Sequence, residues 1–352
     1  MIKIVKFNLT FAETYQKFIL SNPDTLIYTT IEYRDFLASI LGDESDYLIA
    51  LKENDIVGVL PYFSSRDEKV GRIINSLPWF GSYGGCVVAQ GADDSARQKL
   101  LAYYRKEIDQ NSVAASTLVM SPYEHEKLSL YKDIICPTHQ DERVCQMTLF
   151  PDSALDAEEE MMAVFKKKTR NLVRKSLNQG FELVEAVDED WAWQSLYDLH
   201  VENMEGKKAK PWSHFEALRK HIPAPWRRIY IAKLDGVNAA ALLLLYFNKT
   251  VEYFVPAIKH EFRSLQPLSF LIWCSMRDAV TRGYSRWNWG GTWLSQSSLY
   301  HFKAGWGATD LPYRYLTRVN PDSFQEIKSS LGEIAGRNPY YYILPFNSVS
   351  ES

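Results

Sequence analysis

Two stretches of this chain, 46–62 (DYLIALKENDIVGVLPY) and 228–246 (RIYIAKLDGVNAAALLLLY), share one design. Each opens on a β-rich run, over 47–51 in one and 229–234 in the other. Each then turns, at Glu53-Asn54-Asp55 or at Asp235-Gly236, and enters a second β-rich run. That is the signature of a β-hairpin. A helical pattern precedes each hairpin, over 31–40 and 214–222. Downstream of the first come a helix over 93–110, a strand over 115–120, a helix over 124–134 and a strand over 143–150. Downstream of the second come a strand over 251–257, a helix over 268–282, a strand over 284–289, a helix-like stretch to Phe302 and a strand over 313–319. In the 268–282 helix, Leu268, Leu271, Ile272, Met276, Ala279 and Val280 line one face, and Gly283 stands where a C-terminal cap belongs. One repeated hairpin would mean little. Agreement of the whole order predicts a duplicated α/β unit.

The length, 352 residues, suits one large domain or two of ordinary size. We expect a first unit over 1–152, a linking helix over 153–180 and a second unit over 181–352. In the linker, Ser153 and Asp156 read as part of a capping box, and Met161, Phe165, Leu172 and Val173 as one apolar stripe. Hydrophobic residues make up 46% and charged residues 24%, a globular balance. The formal charge of −3 gives no global basic field, so DNA is not an expected partner. Cys86, Cys136, Cys145 and Cys274 form no CxxC pair and no metal spacing with the histidines. They read as buried free thiols in a reducing compartment. Residues 1–6 alternate like a strand and lack the apolar run of a signal peptide. The longest apolar run, 239–247, is too short to span a bilayer. The expected location is cytoplasmic, with no transmembrane segment.

The densest chemistry lies in 284–307, YSRWNWGGTWLSQSSLYHFKAGWG. Here an aromatic strand meets Gly290-Gly291, and a following segment ends in Phe302-Lys303-Ala304-Gly305-Trp306-Gly307. Glycine admits close approach of backbone or ligand. Lys303, with Phe302 and Trp306 as walls, suits a negative charge in a cleft, whether an oxyanion or a phosphate. Its other reading is a surface lysine at a helix end, where a cation suits the dipole. His301, beside it, is the candidate base by position. Upstream, Pro256 marks an edge or bulge in its strand, with Glu252 and Tyr253 close by. The loop 260–267 then enters a helix N-terminus, a natural anion site, with Arg263, Ser264 and Gln266 placed to help; an ordinary turn is the alternative. In the linker, Lys167, Arg170 and Arg174 share a helical face, suited to a diphosphate or the end of a tRNA, or else simply solvated.

These features together resemble the Fem-type (FemAB-like) branch of the GNAT acyltransferases. The residues carrying the resemblance are Lys167, Arg170, Arg174, Lys175 and Gly180; Gly290-Gly291; and Phe302-Lys303 with Gly305 and Gly307. The loop 78–85, PWFGSYGG, resembles the aromatic-glycine loop of that branch. The resemblance implies an α/β (α+β) fold of two tandem GNAT-like units, each a mixed twisted sheet flanked by helices. It implies transfer of an acyl or aminoacyl group to an amine of an amino sugar or peptide, in cell-envelope, surface-polysaccharide or peptidoglycan synthesis. The donor is then acyl-CoA or aminoacyl-tRNA, with no permanently bound cofactor, and the acceptor is a small, nucleotide-linked or lipid-linked molecule. It places Phe302 and Lys303 at the active site, and His200 with the segment 207–212 (KKAKPW) on the acceptor side.

Two departures are informative. The 263–267 segment has no glycine, unlike the usual pyrophosphate loop, and no long coiled-coil insertion is present. The first unit has Ser121-Pro122 where the second has Gly290-Gly291, and no Phe-Lys follows. It is expected to be catalytically empty and to shape the acceptor cleft. The rival reading is a non-catalytic binding module for an envelope precursor, since function follows the site rather than the fold.

Overall fold

The computed structural model describes residues 1–79, 82–151, 157–204, 209–293 and 295–345. The capping-box residues Ser153 and Asp156, together with Phe80, Gly81, Lys207 and Lys208, lie outside them. The chain divides into two compact units: Met1–Val144 with the chain from Leu311 on, and Cys145–Asp310.

The first unit contains β1 (Ile2–Lys6), α1 (Ala12–Ser21), α2 (Ile31–Leu41), β2 (Glu44–Lys52), β3 (Asp55–Asp67), β4 (Gly71–Asn75), β5 (Val87–Val88), α3 (Ser95–Ile108), β6 (Val113–Val119) and α4 (Leu128–Ile135). β7 (His139–Leu149) leads out of it. The second unit contains α5 (Ala157–Val164), α6 (Lys167–Leu177), β8 (Glu182–Ala186), α7 (Asp190–Asn203), α8 (Trp212–His221), β9 (Arg227–Leu234), β10 (Val237–Phe247), β11 (Thr250–Ile258), α9 (Pro267–Thr281), β12 (Arg286–Trp293) and α10 (Ser297–Gly305). β13 (Thr309–Val319) and α11 (Pro321–Arg337) return to the first.

The strands of each unit follow one plan. In the first unit the order is β1-β2-β3-β4-β6-β13, with β5 on β3; in the second it is β8-β9-β10-β11-β12-β7. Both begin with antiparallel neighbours and then have one parallel pair, β4 with β6 and β11 with β12. The second hairpin turns where expected: Asp235 (φ 50°) and Gly236 (φ 79°) are both left-handed, as a tight primed turn requires. The first turns at Glu53, also left-handed (φ 59°). Each unit has its own core. Leu60, Tyr62, Leu100 and Tyr104 belong to one, and Leu242, Leu271, Met276 and Trp287 to the other.

The unit boundaries differ from the expected ranges 1–152, 153–180 and 181–352. The strand after α4 ends in the second unit, and the strand after α10 joins the first. β13 pairs antiparallel with β6 from Tyr315↔Val119 to Val319↔Ala115, and Thr117 and Thr317 share a buried 2.9 Å hydroxyl bond. The linker is also not one helix. Lys166 leaves helical geometry (ψ 150°), and its N–H donates to the Gly305 carbonyl at 2.9 Å. Among the cysteines, Cys86 and Cys145 are buried, but Cys136 is exposed at the left-handed cap of α4.

That break lets α10 approach closely. A Cβ on Gly305 would lie 2.5 Å from Thr169 Oγ1, and one on Gly307 (φ 74°) 2.9 Å from the Val164 carbonyl. Gly236, equally left-handed, has open space around it. Gly307→Ala therefore combines backbone strain with a clash against fixed backbone. It should lower unfolding free energy by about 2–4 kcal/mol in urea titrations, against about 1 kcal/mol for Gly236→Ala.

Candidate active site

β11 and β12 pair only briefly. Their parallel register covers Thr250↔Arg286, Val251↔Trp287 and Glu252↔Asn288, yet β11 runs on to Ile258 and β12 to Trp293. β11 stays paired with β10 up to Ala240↔Ile258. The strands therefore part after Asn288. The register of β11 on β10 slips at Leu243/Leu244, leaving Phe254 as the extra, bulged residue. Pro256, which has no N–H to offer, sits on the edge that β12 has left. On the other side of the gap Gly290 takes φ 74°. Tyr253 rests 5.0 Å from the Trp289 ring, and burial pushes its hydroxyl pKa upward, away from use as a base at neutral pH.

In the first unit the corresponding opening between β4 and β6 is filled by the chain itself. Ser76 N–H donates to the Thr117 carbonyl at 2.9 Å, its hydroxyl accepts from Val119 N–H at 2.8 Å, and Gly84 N–H donates to the Val119 carbonyl at 2.9 Å. Cys86 N–H is then held by the Tyr131 hydroxyl at 2.8 Å.

A cavity of about 540 Å³ lies among α6, the start of α9 and α10, whose Phe302 and Trp306 rings pack on Trp289 of β12. α6 contributes Lys168, Thr169 and Leu172, with Lys166 just before it. The start of α9 contributes Gln266 and Ser269, and α10 contributes Ser298, His301, Phe302 and Gly305, followed by Trp306. Phe302 is 37% exposed, whereas Trp306 is buried and its ring lies 5.9 Å from Trp289. Among the described residues the lining carries cations, hydroxyls and aromatic rings and no carboxylate. It fits a ligand with an anionic part and an apolar part.

Lys303 does not line that cavity. It is 4% exposed, and its ammonium points to the strand end: Thr292 Oγ1 at 2.7 Å, the Gly290 carbonyl at 3.1 Å and the Gly291 carbonyl at 3.2 Å. Three donors meet three acceptors. Thr292 in turn donates to Gln146 Oε1 at 3.2 Å, and Gly290 N–H donates to Asn288 Oδ1 at 2.8 Å. Burial, with no carboxylate bonded to the ammonium, lowers the Lys303 pKa to about 8.

The other expected residues are dispersed. Gln266 lines the cavity, but Arg263 reaches toward Asn203 (3.4 Å), and the Ser264 carbonyl accepts from Lys175 (2.9 Å). The loop amides of His260, Phe262 and Gln266 are already bonded, to Glu202, Lys259 and Arg263. Arg170 turns back onto the carbonyls of Phe165 and Met162, closing the end of α5, and Arg174 is exposed on α6. The cavity thus uses a different face of α6 from the one that the 167/170/174 spacing marks. His200 is buried on α7, accepts the Lys210 N–H at 3.2 Å, and is held at about pKa 4 by burial and the Lys210 charge. Ser269, Ser298 and Thr169 carry no sequence signal of their own, and Leu172 only its place in an apolar stripe. For Thr169 and Leu172 the break at Lys166 resets the helical phase.

A sheet with a splaying central parallel pair, a plan built twice along one chain, defines a tandem GNAT fold. Residues 164–304 match the family model for the acetyltransferase (GNAT) domain. FemX has a similar structure, with a TM-score of 0.69 at 14% identity over 92% of this chain and 99% of that one. A tandem GNAT protein from the clavulanic acid biosynthesis pathway gives 0.53 at 12% identity, over 91% and 98%. The C-terminal domain of a putative lysylphosphatidylglycerol synthetase from Agrobacterium fabrum gives 0.56 at 10%, over 92% and 97%. No curated protein sequence matches. Among the described residues no helix is long and apolar enough to cross a membrane.

Because the folded pKa of Lys303 lies below its unfolded value near 10.5, the unfolded chain binds more protons between the two. Its charged form costs stability below pH 8, and that cost is relieved as pH rises toward 10.5. Relative to Lys303→Met, the wild-type protein should gain about 3 kcal/mol of unfolding free energy across this window in urea titrations.

Proposed function

We propose that this protein is an N-acyltransferase or aminoacyltransferase that forms an amide on an amino sugar or peptide of a cell-envelope or surface-polysaccharide precursor. The observation that carries the reading is the gap between β11 and β12, with a cationic cavity whose aromatic walls, Phe302 and Trp306, pack on Trp289 of β12. It lies in the segment that matches the GNAT domain. The first unit, whose corresponding gap is closed by Ser76 and Gly84, contributes no second donor site in this reading.

In this reading Lys166 and Lys168 hold the phosphates of the donor, with Ser269 and the start of α9 beside them. Phe302 and Trp306 wall the acyl end and exclude water. This replaces binding by the loop amides, which are already bonded. The acceptor amine attacks the acyl carbonyl carbon and a C–N bond forms. The oxyanion collapses, and the C–S bond of a thioester or the C–O bond of an aminoacyl ester breaks. His301, which faces the cavity, takes the amine proton and passes it to the departing sulfur or oxygen. The similarity to a domain of a putative lysylphosphatidylglycerol synthetase supports an aminoacyl group as the unit transferred and a lipid-linked acceptor. The GNAT match supports acyl-CoA.

Thermal shift separates these. Acetyl-CoA, aminoacyl-tRNA and a nucleotide-linked amino sugar are each added to the purified protein. A donor at about 100 times its Kd stabilises by about 2.7 kcal/mol. That shift should vanish in a Lys166→Ala, Lys168→Ala double variant. A response to the sugar with none to either donor would move the reading to a non-catalytic binding module. With a working pair of substrates, His301→Ala should lower kcat by about 10²–10⁴-fold.

A further inference from the structure

The ammonium of Lys303 is buried yet touches neither a carboxylate nor the cavity. Its acceptors include two consecutive carbonyls, those of Gly290 and Gly291. In an extended strand successive residues face opposite ways, so one cation does not ordinarily reach both. Here Gly290 at φ 74° bends the chain, and the two carbonyls converge. The kink comes directly after Asn288, where β12 loses its parallel partner. Asn288 holds one side of it through Gly290 N–H, and Thr292, itself bonded to Gln146, gives the ammonium its shortest bond.

We infer that Lys303 is a positioning residue: it fixes the Gly290-Gly291 kink that forms one wall of the gap, and it does not itself contact the ligand. What the wall serves rests on the acyltransferase reading; the bracing itself does not. The inference also accounts for the pairing of Gly290-Gly291 with a lysine near the end of the next helix. The glycine supplies a conformation that other residues adopt poorly, and the lysine removes the alternatives. With methionine in place of lysine, two carbonyls on the strand end that β11 has left lose this donor, and the kink in β12 loses its brace.

Hydrogen exchange with peptide resolution tests this on the intact protein. In Lys303→Met, exchange in the 286–293 segment should rise by about tenfold or more, while the β9–β10 hairpin stays within about twofold of wild type. Coenzyme A affinity, measured by calorimetry, should remain within about twofold. If Lys303→Met does not fold, Thr292→Val keeps the lysine, removes its shortest bond and should raise exchange in the same segment alone. Unchanged exchange in a folded variant overturns the inference. So does a loss of coenzyme A affinity of about tenfold with β12 undisturbed, because the ammonium would then act on the ligand. If coenzyme A fails to bind the wild-type protein, the thioester reading fails, and the exchange result still decides the role of Lys303.

Discussion

A strand that leaves its neighbour inside a sheet exposes donors and acceptors that the sheet would otherwise have paired, and buried ones are costly to leave unmade. β12 does this after Asn288, and much of the surrounding structure answers it. Asn288 takes the Gly290 amide. Lys303 takes the next two carbonyls. Thr292 and Gln146 tie the lysine to β7. The position of α10 follows, because Lys303 must reach the strand end. The contacts of Gly305 and Gly307 with Thr169 and Val164 follow in turn, since α10 can sit there only where it meets α5 and α6 without side chains between.

The two units treat the same weakness in opposite ways. In the first, Ser76 and Gly84 bond to β6 across the gap, so the chain itself closes it. In the second the gap is kept, and the cost is met by side chains placed behind its wall. One sheet plan thus yields a closed unit and an open one. Two local choices separate them: how the chain continues after the fourth strand of the sheet, and whether the strand across from it carries Gly-Gly or Ser121-Pro122.

Much of this was legible from residue order alone. The turn chemistry at Asp235-Gly236, the apolar face of α9 and the repeated sequence of elements placed the hairpins and the tandem fold. Gly290-Gly291 and Lys303 were both visible as unusual; that they bind each other was not, because no local rule brings a helix end onto a strand end. The break at Lys166 was hidden because Met161, Phe165 and Val173 keep an apolar pattern across it and what stops the helix is a distant carbonyl, that of Gly305. Once the break resets the phase, the spacing of Arg170 and Arg174 no longer reports the cavity side of α6. β4, only five residues long, was missed between stronger signals. The unit boundaries were missed because strand partners are chosen in space: nothing in the composition of β7 or β13 says which sheet it will join.

The exchange of those two strands has a consequence for synthesis. The first unit lacks β13, its neighbour for β6, until Val319 has been made, although everything else in its sheet is encoded before Val119. On the ribosome the early half must therefore wait, with one side of β6 uncovered, while the whole second unit emerges and folds. Domains usually complete in chain order. Here the second unit can close first, and a segment made after it finishes the part that was begun first.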